Sequence, residues 1–536
     1  MKKFSLIVTI TGLLLALGVK PASAQDQIAR VYFAGTQKIA GDPNSLAFAN
    51  EFGCAEAKAL EIQTLAKLAR APGTWFKSKM APDAGDGAAL LRPLLDDLLK
   101  SEWVFEMRQA SGGSPEYALA IRLDNVRAQL WSRNLATLLQ SWTGIGISAD
   151  KAGGWLLRKH DPPNLFQLSR PAGWLVLDCG TDVLRLQNEI LQSPELRAGA
   201  VTAPVPGATW LSANLDWPRL AQLFPALRSW DLPRTDLQVT ARDGNFLING
   251  KLGLTRPLPP LEKWRVPVDL LHPPFTSFTA VRGISPWLEH QAWAWPYAIS
   301  PMPQQFFFWA MPKIPFQTFG AAPVADGRSA LTQLEAKLSN GNNVAMPGSL
   351  LMPMHAELDH GEISFRGLPF TTPFVKLEHA PAGDFLLGGF FPNSPNSLPL
   401  PPELLAQFKT PEVVYYHWEN TGERLKPLPQ LAQLMLLISR HRQLGGLADQ
   451  WVTKVGSTLG ATVTTAVQTG PQEVSFARRA PGGLTALEFF ALGLWLEAPN
   501  FPGFDMQGPS GALPQNPRRV SSGPAPVQPF QLHSLH

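Results

Sequence analysis

Apolar and polar positions along this chain alternate with a period of two in many short runs, and groups of these runs lead into stretches with helical spacing. Residues 103–107 alternate, and after the Ser111-Gly112-Gly113 turn residues 117–123 alternate again, as half-buried strands do. Asp124 then stands as an N-cap before Val126, Leu130, Leu135, Leu138 and Trp142, which fall near the spacing of one helix face. Strands are expected next at 155–158, 165–170 and 174–178, with a helix at 181–191. A strand at 209–215 and a short helix at 218–227 precede the clearest hairpin, 237–241 with 246–250. Its turn, Arg242-Asp243-Gly244-Asn245, carries the Asp-Gly pair that positive φ requires.

The second half repeats this grammar. Strands are expected at 275–282, 374–379, 385–390 and 413–418, and helices at 329–338, 431–439 and 447–455. Hairpins are expected at 354–366, across Asp359-His360-Gly361, and at 462–478. Thr485-Ala486-Leu487-Glu488 has the capping-box pattern and opens a helix reaching Leu496. That helix is apolar nearly all round, which predicts burial between layers. The pattern predicts an α+β fold, with antiparallel sheets built from hairpins, helices packed on one face, and two similar halves. Runs of hairpins followed by helices favour it over a doubly wound parallel sheet. The similar hairpins at 237–250, 354–366 and 462–478 suggest internal duplication.

Proline sets the divisions. Pro257, Pro259, Pro260, Pro267, Pro273 and Pro274 crowd one stretch, which predicts an N-terminal domain over 25–258 and a C-terminal domain over 275–498. Residues 499–536 are rich in Pro, Gly, Ser and Gln and read as a disordered tail. At the other end, Lys2 and Lys3, the apolar run 4–19 and Ala22-Ser23-Ala24 form the three parts of a cleavable secretory signal peptide over 1–24. The run of about sixteen residues is shorter than the roughly 20 that span a bilayer, so no transmembrane anchor is expected after cleavage. The expected location is periplasmic or secreted.

Charge alters the picture once the leader is gone. The formal charge of +4 falls to about +1 without Lys2, Lys3 and Lys20. That lacks the basic field that nucleic-acid binding needs. The two cysteines, Cys54 and Cys179, are free to pair as a disulfide in an exported protein. They fit equally as buried small hydrophobes.

Candidate chemistry is sparse. The sequence contains no Gly-x-Ser-x-Gly elbow, no phosphate-cradling Gly-x-x-x-x-Gly-Lys loop, no Cys-x-x-Cys pair and no His-Glu-x-x-His. No cofactor is expected. His355, Glu357, Asp359 and His360 are suitable metal ligands by type. On a strand, however, His355, Glu357 and Asp359 share one face and fit a solvated edge, with His360 in the turn. Trp287, Trp293, Trp295, Tyr297 and Trp309 lie in a proline-broken stretch and are candidates for ligand contact or for core anchoring. His417 is expected on the outer face of a strand, and His379 at a strand end.

The reading that follows is an exported cell-envelope protein, non-enzymatic, which binds an unidentified ligand or envelope partner or acts as a scaffold. The rival is an exported hydrolase, polysaccharide-directed or metal-dependent, with dispersed catalytic residues. The leader generates the first test. Edman sequencing of the protein recovered outside the cytoplasm should begin at Gln25, and an intact Met1 there would remove the export reading.

Overall fold

The computed structural model describes residues 25–75, 87–110, 113–150, 153–160, 163–171, 173–181, 184–192, 207–272, 274–289, 299–312, 318–340, 355–359, 361–366, 372–390, 402–427, 446–498 and 501–503. The leader, the helix expected at 431–439 and the chain beyond 503 lie outside these residues.

The described residues form twenty strands in one antiparallel sheet, and helices are the minority. The first ten strands are β1 (Gln25–Phe33), β2 (Trp103–Ala110), β3 (Pro115–Arg122), β4 (Ser148–Ala149), β5 (Trp155–His160), β6 (Pro163–Ser169), β7 (Trp174–Gly180), β8 (Leu211–Leu215), β9 (Arg234–Arg242) and β10 (Asn245–Gly253). The next ten are β11 (Ser277–Arg282), β12 (Gln305–Ala310), β13 (Phe319–Pro323), β14 (His355–Asp359), β15 (Glu362–Arg366), β16 (Phe374–Ala380), β17 (Gly383–Gly389), β18 (Val413–Asn420), β19 (Ala461–Gly470) and β20 (Glu473–Ala480).

From one edge, pairing runs β4-β5-β6-β7-β3-β2-β1-β8-β9-β10. From the other edge it runs β14-β15-β16-β17-β13-β12-β11-β18-β19-β20. Each strand of the second series occupies the place of the strand ten numbers below it. The series meet where β10 pairs with β20.

Six longer helices cover the sheet: α1 (Ala55–Trp75), α2 (Ala88–Lys100), α3 (Asn125–Thr143), α4 (Gly327–Asn340), α5 (Leu447–Gly456) and α6 (Ala486–Glu497). The alternation of β3 decides its two faces. Tyr117, Leu119 and Ile121 point into the core beneath α1, α2 and α3. Ala118 and Ala120 point the other way, against Leu186, Ile190 and Trp210. In the second series Phe278, Phe307, Trp309, Phe319, Phe385 and Leu387 fill one core. On the opposite face α4 packs Leu331 and Leu334 onto Ile363 and Phe365. Helices far apart in sequence lock together. Ala57 and Leu60 of α1 share a cluster with Trp451 of α5 and Phe489 of α6, and Lys67 donates to the carbonyl of Leu496.

Most expected elements form where the pattern placed them. Asp124 caps α3 through the N–H of Arg127, and Asp243 and Gly244 take φ of 50° and 68° in the β9–β10 turn. Thr485 and Glu488 close the capping box of α6. β1, α2 and β13 add to the expected set.

The helices Leu46–Phe52 and α1 are parted at Gly53, where a Cβ would sit 2.4 Å from the carbonyl oxygen of Ala49. Several expectations are corrected. The helix at 181–191 shrinks to Leu186–Glu189 with a 3-10 turn over Ile190–Gln192. Residues 305–310 are no loop but the strand β12, paired on both sides. Helix α6 is not enclosed: Phe489 and Gly493 face α5, while Leu487 is 62% exposed. Phe501, inside the stretch expected to be disordered, is buried against Trp495.

Trp309 lies wholly enclosed on β12, its ring stacked on Phe319 at 5.4 Å. Trp309→Ala should therefore cost about 3–5 kcal/mol, as deleting a buried aromatic does. Urea unfolding measures it, and a loss under about 1 kcal/mol would mean the ring is not a core anchor.

Candidate functional site

The densest buried polar grouping among the described residues is built on β18, whose sequence alternates Tyr415, His417 and Glu419 on one face with Val414, Tyr416 and Trp418 on the other. Strand pairing sets Thr279 of β11 and Thr464 of β19 beside His417, and Ser277 and Thr462 beside Glu419. The short helix Thr421–Leu425 and the start of α6 then meet these rows at Glu419. His417 is 5% exposed, and Glu419, Thr421 and Thr462 are not exposed at all. His417, expected on an outer face, is thus enclosed.

A hydroxyl, an imidazole and a carboxylate follow one another here. Thr279 Oγ1 lies 2.8 Å from His417 Nδ1. His417 Nε2 lies 3.3 Å from Glu419 Oε2, at ion-pair distance but outside hydrogen-bond alignment. Glu419 has further partners. Its Oε2 accepts from Arg424, and its Oε1 accepts from the Thr421 hydroxyl at 2.9 Å and the Ala486 N–H at 2.7 Å. Burial by itself would raise this carboxyl, but His417, Arg424 and the Ala486 N–H outweigh it and hold Glu419 at about 2.

The order of groups is that of a nucleophile relay. The geometry gives it a different task. Ala486 is the first residue of α6, so Glu419 places a carboxylate on the positive end of that helix. One row along, Arg478 of β20 bonds Thr464 and both carboxylate oxygens of Glu488. Glu488 in turn accepts from the N–H of Thr485. Both networks fasten α6 to the sheet. Beside them, burial pushes the Tyr415 hydroxyl up to about 12.

A second grouping lies in the first series. Glu116 on β3 and Asp178 on β7 sit on the same face, at 6% and 0% exposure. Glu116 Oε1 accepts from the N–H groups of Arg185 and Leu186, and Asp178 Oδ2 from that of Gln187. Burial, and then the charge of Glu116, push the Asp178 carboxyl well up. These oxygens cap the helical turn after Arg185, which is why the helix begins at Leu186. Burial, reinforced by Asp178 and Glu116, also raises the Cys179 thiol well above its ordinary range, and an undissociated buried thiol is inert.

Of the aromatic residues singled out by sequence, the two that are described, Trp287 and Trp309, lie in different settings. Trp287 is 41% exposed in the turn at Ser285–Leu288, while Trp309 is in the core. Trp293, Trp295 and Tyr297 lie outside the described residues. β14 pairs His355 with Arg366, Glu357 with Ser364 and Asp359 with Glu362. The side chains of His355, Glu357 and Asp359, and all of His360, lie outside the described residues. Among the described residues no three His, Cys, Asp or Glu side chains are grouped to hold a metal ion. Cys54 and Cys179 are not joined by a disulfide in this structure. Cys179 belongs to the core under α3, and Cys54 to the cluster around Trp451. His379 is exposed at the end of β16, with Nδ1 2.7 Å from Asp384.

Sequence reasoning passed over Glu419, Thr279, Arg424, Glu116 and Asp178. The available sign was a polar residue at every second place in an otherwise apolar strand, as in Tyr415-x-His417-x-Glu419. Comparison with protein-family models, curated proteins and solved structures finds no match.

These carboxyls make stability depend on pH in two directions. Glu419 falls below its ordinary 4.5, so the stability it contributes is present above about pH 4.5 and lost as the pH falls toward 2. Glu51, 2% exposed with Oε2 unpartnered, is pushed up to about 9 by burial. The stability tied to Glu51 is present below about pH 4.5 and lost as the pH rises toward 9. Asp178 acts in the same sense as Glu51. Glu51→Gln should therefore flatten the decline between pH 5 and 8 by at most about 1.4 kcal/mol per pH unit. Urea unfolding across that range measures it, and an unchanged slope would contradict the buried carboxyl.

Proposed function

We propose that this chain is an exported, non-enzymatic binding or scaffold protein of the cell envelope. Its core is then two copies of one ten-strand unit, with helices packed on the sheet in an α+β arrangement. The matched order of the two strand series supports the duplication.

One observation carries the non-enzymatic reading. The grouping that most resembles catalytic machinery, Thr279–His417–Glu419, is enclosed and engaged in fastening α6 to the sheet. A nucleophile has to meet its substrate, and Thr279 is 9% exposed. The leader at 1–24 supports export, and the near-neutral mature charge argues against a nucleic-acid partner.

Turnover assays on ester and glycan panels, with the wild-type chain and Thr279→Val, test this reading. The expected result is no turnover above blank for either protein, with a lower melting temperature for Thr279→Val because His417 Nδ1 loses its partner. Wild-type turnover that Thr279→Val abolishes without unfolding would overturn the proposal in favour of a hydrolase.

A further inference from the structure

A groove runs along α3 where the β4–β5 hairpin leaves the edge of the sheet. Gln129, Ser132, Arg133, Ala136 and Gln140 line it from the helix. Their spacing keeps them on one face over three turns, a length of roughly 16 Å. Ile147, Ala149, Gly153, Gly154, Trp155 and Arg170 form the opposite wall. The cavity is about 360 Å³, within the range of small-molecule sites.

The floor is apolar and fixed. Trp155 is 4% exposed, and its indole N–H donates to the carbonyl of Ser132 at 3.0 Å, tying hairpin to helix. Ile147, Ala136 and Ala149 extend this surface. Part of the far wall is bare backbone. Gly153 has a φ of +80°, and at Gly154 a Cβ would lie 2.1 Å from the carbonyl oxygen of Leu168. Side chains are thus refused there, and a ligand can lie close.

The charge above this floor is uncompensated. Among the described residues no Asp or Glu lines the groove, and Asp150, next to Ala149 on the hairpin, is not among the lining residues. The Arg133 guanidinium has no hydrogen bond or ion pair among the described residues. Arg170 reaches only neutral acceptors, the backbone oxygen and Oδ1 of Asn125, at 3.5 and 3.3 Å. A guanidinium is a planar fork matched to a carboxylate. Elsewhere some arginines have carboxylate partners, as Arg127 has Asp97, Arg424 has Glu419 and Arg478 has Glu488, while others, such as Arg265 and Arg282, are taken up by backbone carbonyls. At the groove that partner is missing from the lining.

We propose that this groove binds a small organic carboxylate with an apolar body. Arg133 and Arg170 take the carboxylate. Trp155, Ile147 and Ala136 take the body, and the carboxamides of Gln129 and Gln140 stand at the rim. This site is separate from the network around Glu419, and it holds whether or not the chain turns over a substrate.

Calorimetric titration of the full chain at low salt tests it, with octanoate as the probe. Octanamide keeps the body without the charge, and acetate keeps the charge without the body. Octanoate should bind saturably at one site, and octanamide and acetate at least about tenfold more weakly, the scale of a charge-assisted hydrogen bond or several buried methylenes. The double substitution Arg133→Gln, Arg170→Gln should weaken octanoate by about tenfold or more and leave the melting temperature unchanged. Ala136→Phe, which fills the groove without touching either arginine, should also abolish binding. Absence of saturable octanoate heat would overturn the proposal. Equal binding of octanamide or acetate would do the same, as would an affinity indifferent to both variants.

Discussion

The ladder between β10 and β20 is the interaction on which the rest of the architecture depends. Eight residue pairs, from Phe246 with Ala480 to Gly253 with Glu473, join strands more than two hundred residues apart. Without this ladder both strands would offer a row of unpaired N–H and C=O groups. Gly250 lets the pairing close. A Cβ there would lie 2.2 Å from the carbonyl oxygen of Asp236 and 2.6 Å from the Phe476 ring, so the ring covers bare backbone. At one end of the ladder Phe246 packs edge-on to Trp210, while Ala480 leads into the turn that starts α6. Helices far apart in sequence gather in one cluster, with Ala57 and Leu60 against Trp451 and Phe489.

The buried polar groups follow one logic. A charge taken out of water is tolerated when opposite charge or hydrogen-bond donors replace the water. Glu419 meets Arg424, Thr421 and the first N–H of α6. Glu116 and Asp178 meet the N–H groups of 185–187. In both places a strand carboxylate takes up the orphan donors at a helix start. Helix and sheet are then held at a fixed distance, which hydrophobic contact, being non-directional, does not impose. Glu51 departs from this logic. Its Oε2 has no partner, and it avoids the cost by remaining protonated.

Function has to be read against that economy. The relay-like order of Thr279, His417 and Glu419 arises from cross-strand register and is consumed by helix attachment. The groove on α3 differs in kind. Its two arginines lie over a floor fixed by the Trp155–Ser132 bond, and no carboxylate lines it among the described residues.

The sequence alone determined the local elements. The alternation of 103–107 and 117–123, the Asp124 cap, the Asp243-Gly244 turn and the Thr485–Glu488 capping box each name their own structure, because side-chain period and backbone capping are set by neighbours within a few residues. Tertiary structure decided what those elements touch. β12 reads as a broken aromatic loop until pairing with β11 and β13 sorts Phe307 and Trp309 inward. α6 reads as a helix buried all round, yet Leu487 on it is 62% exposed. His417 reads as an outward strand residue until β11 and β19, distant in sequence, set Thr279 and Thr464 beside it and leave it 5% exposed. The physical reason is the same in each case. A strand's period tells which residues share a face, but which face meets water depends on partners tens to hundreds of residues away.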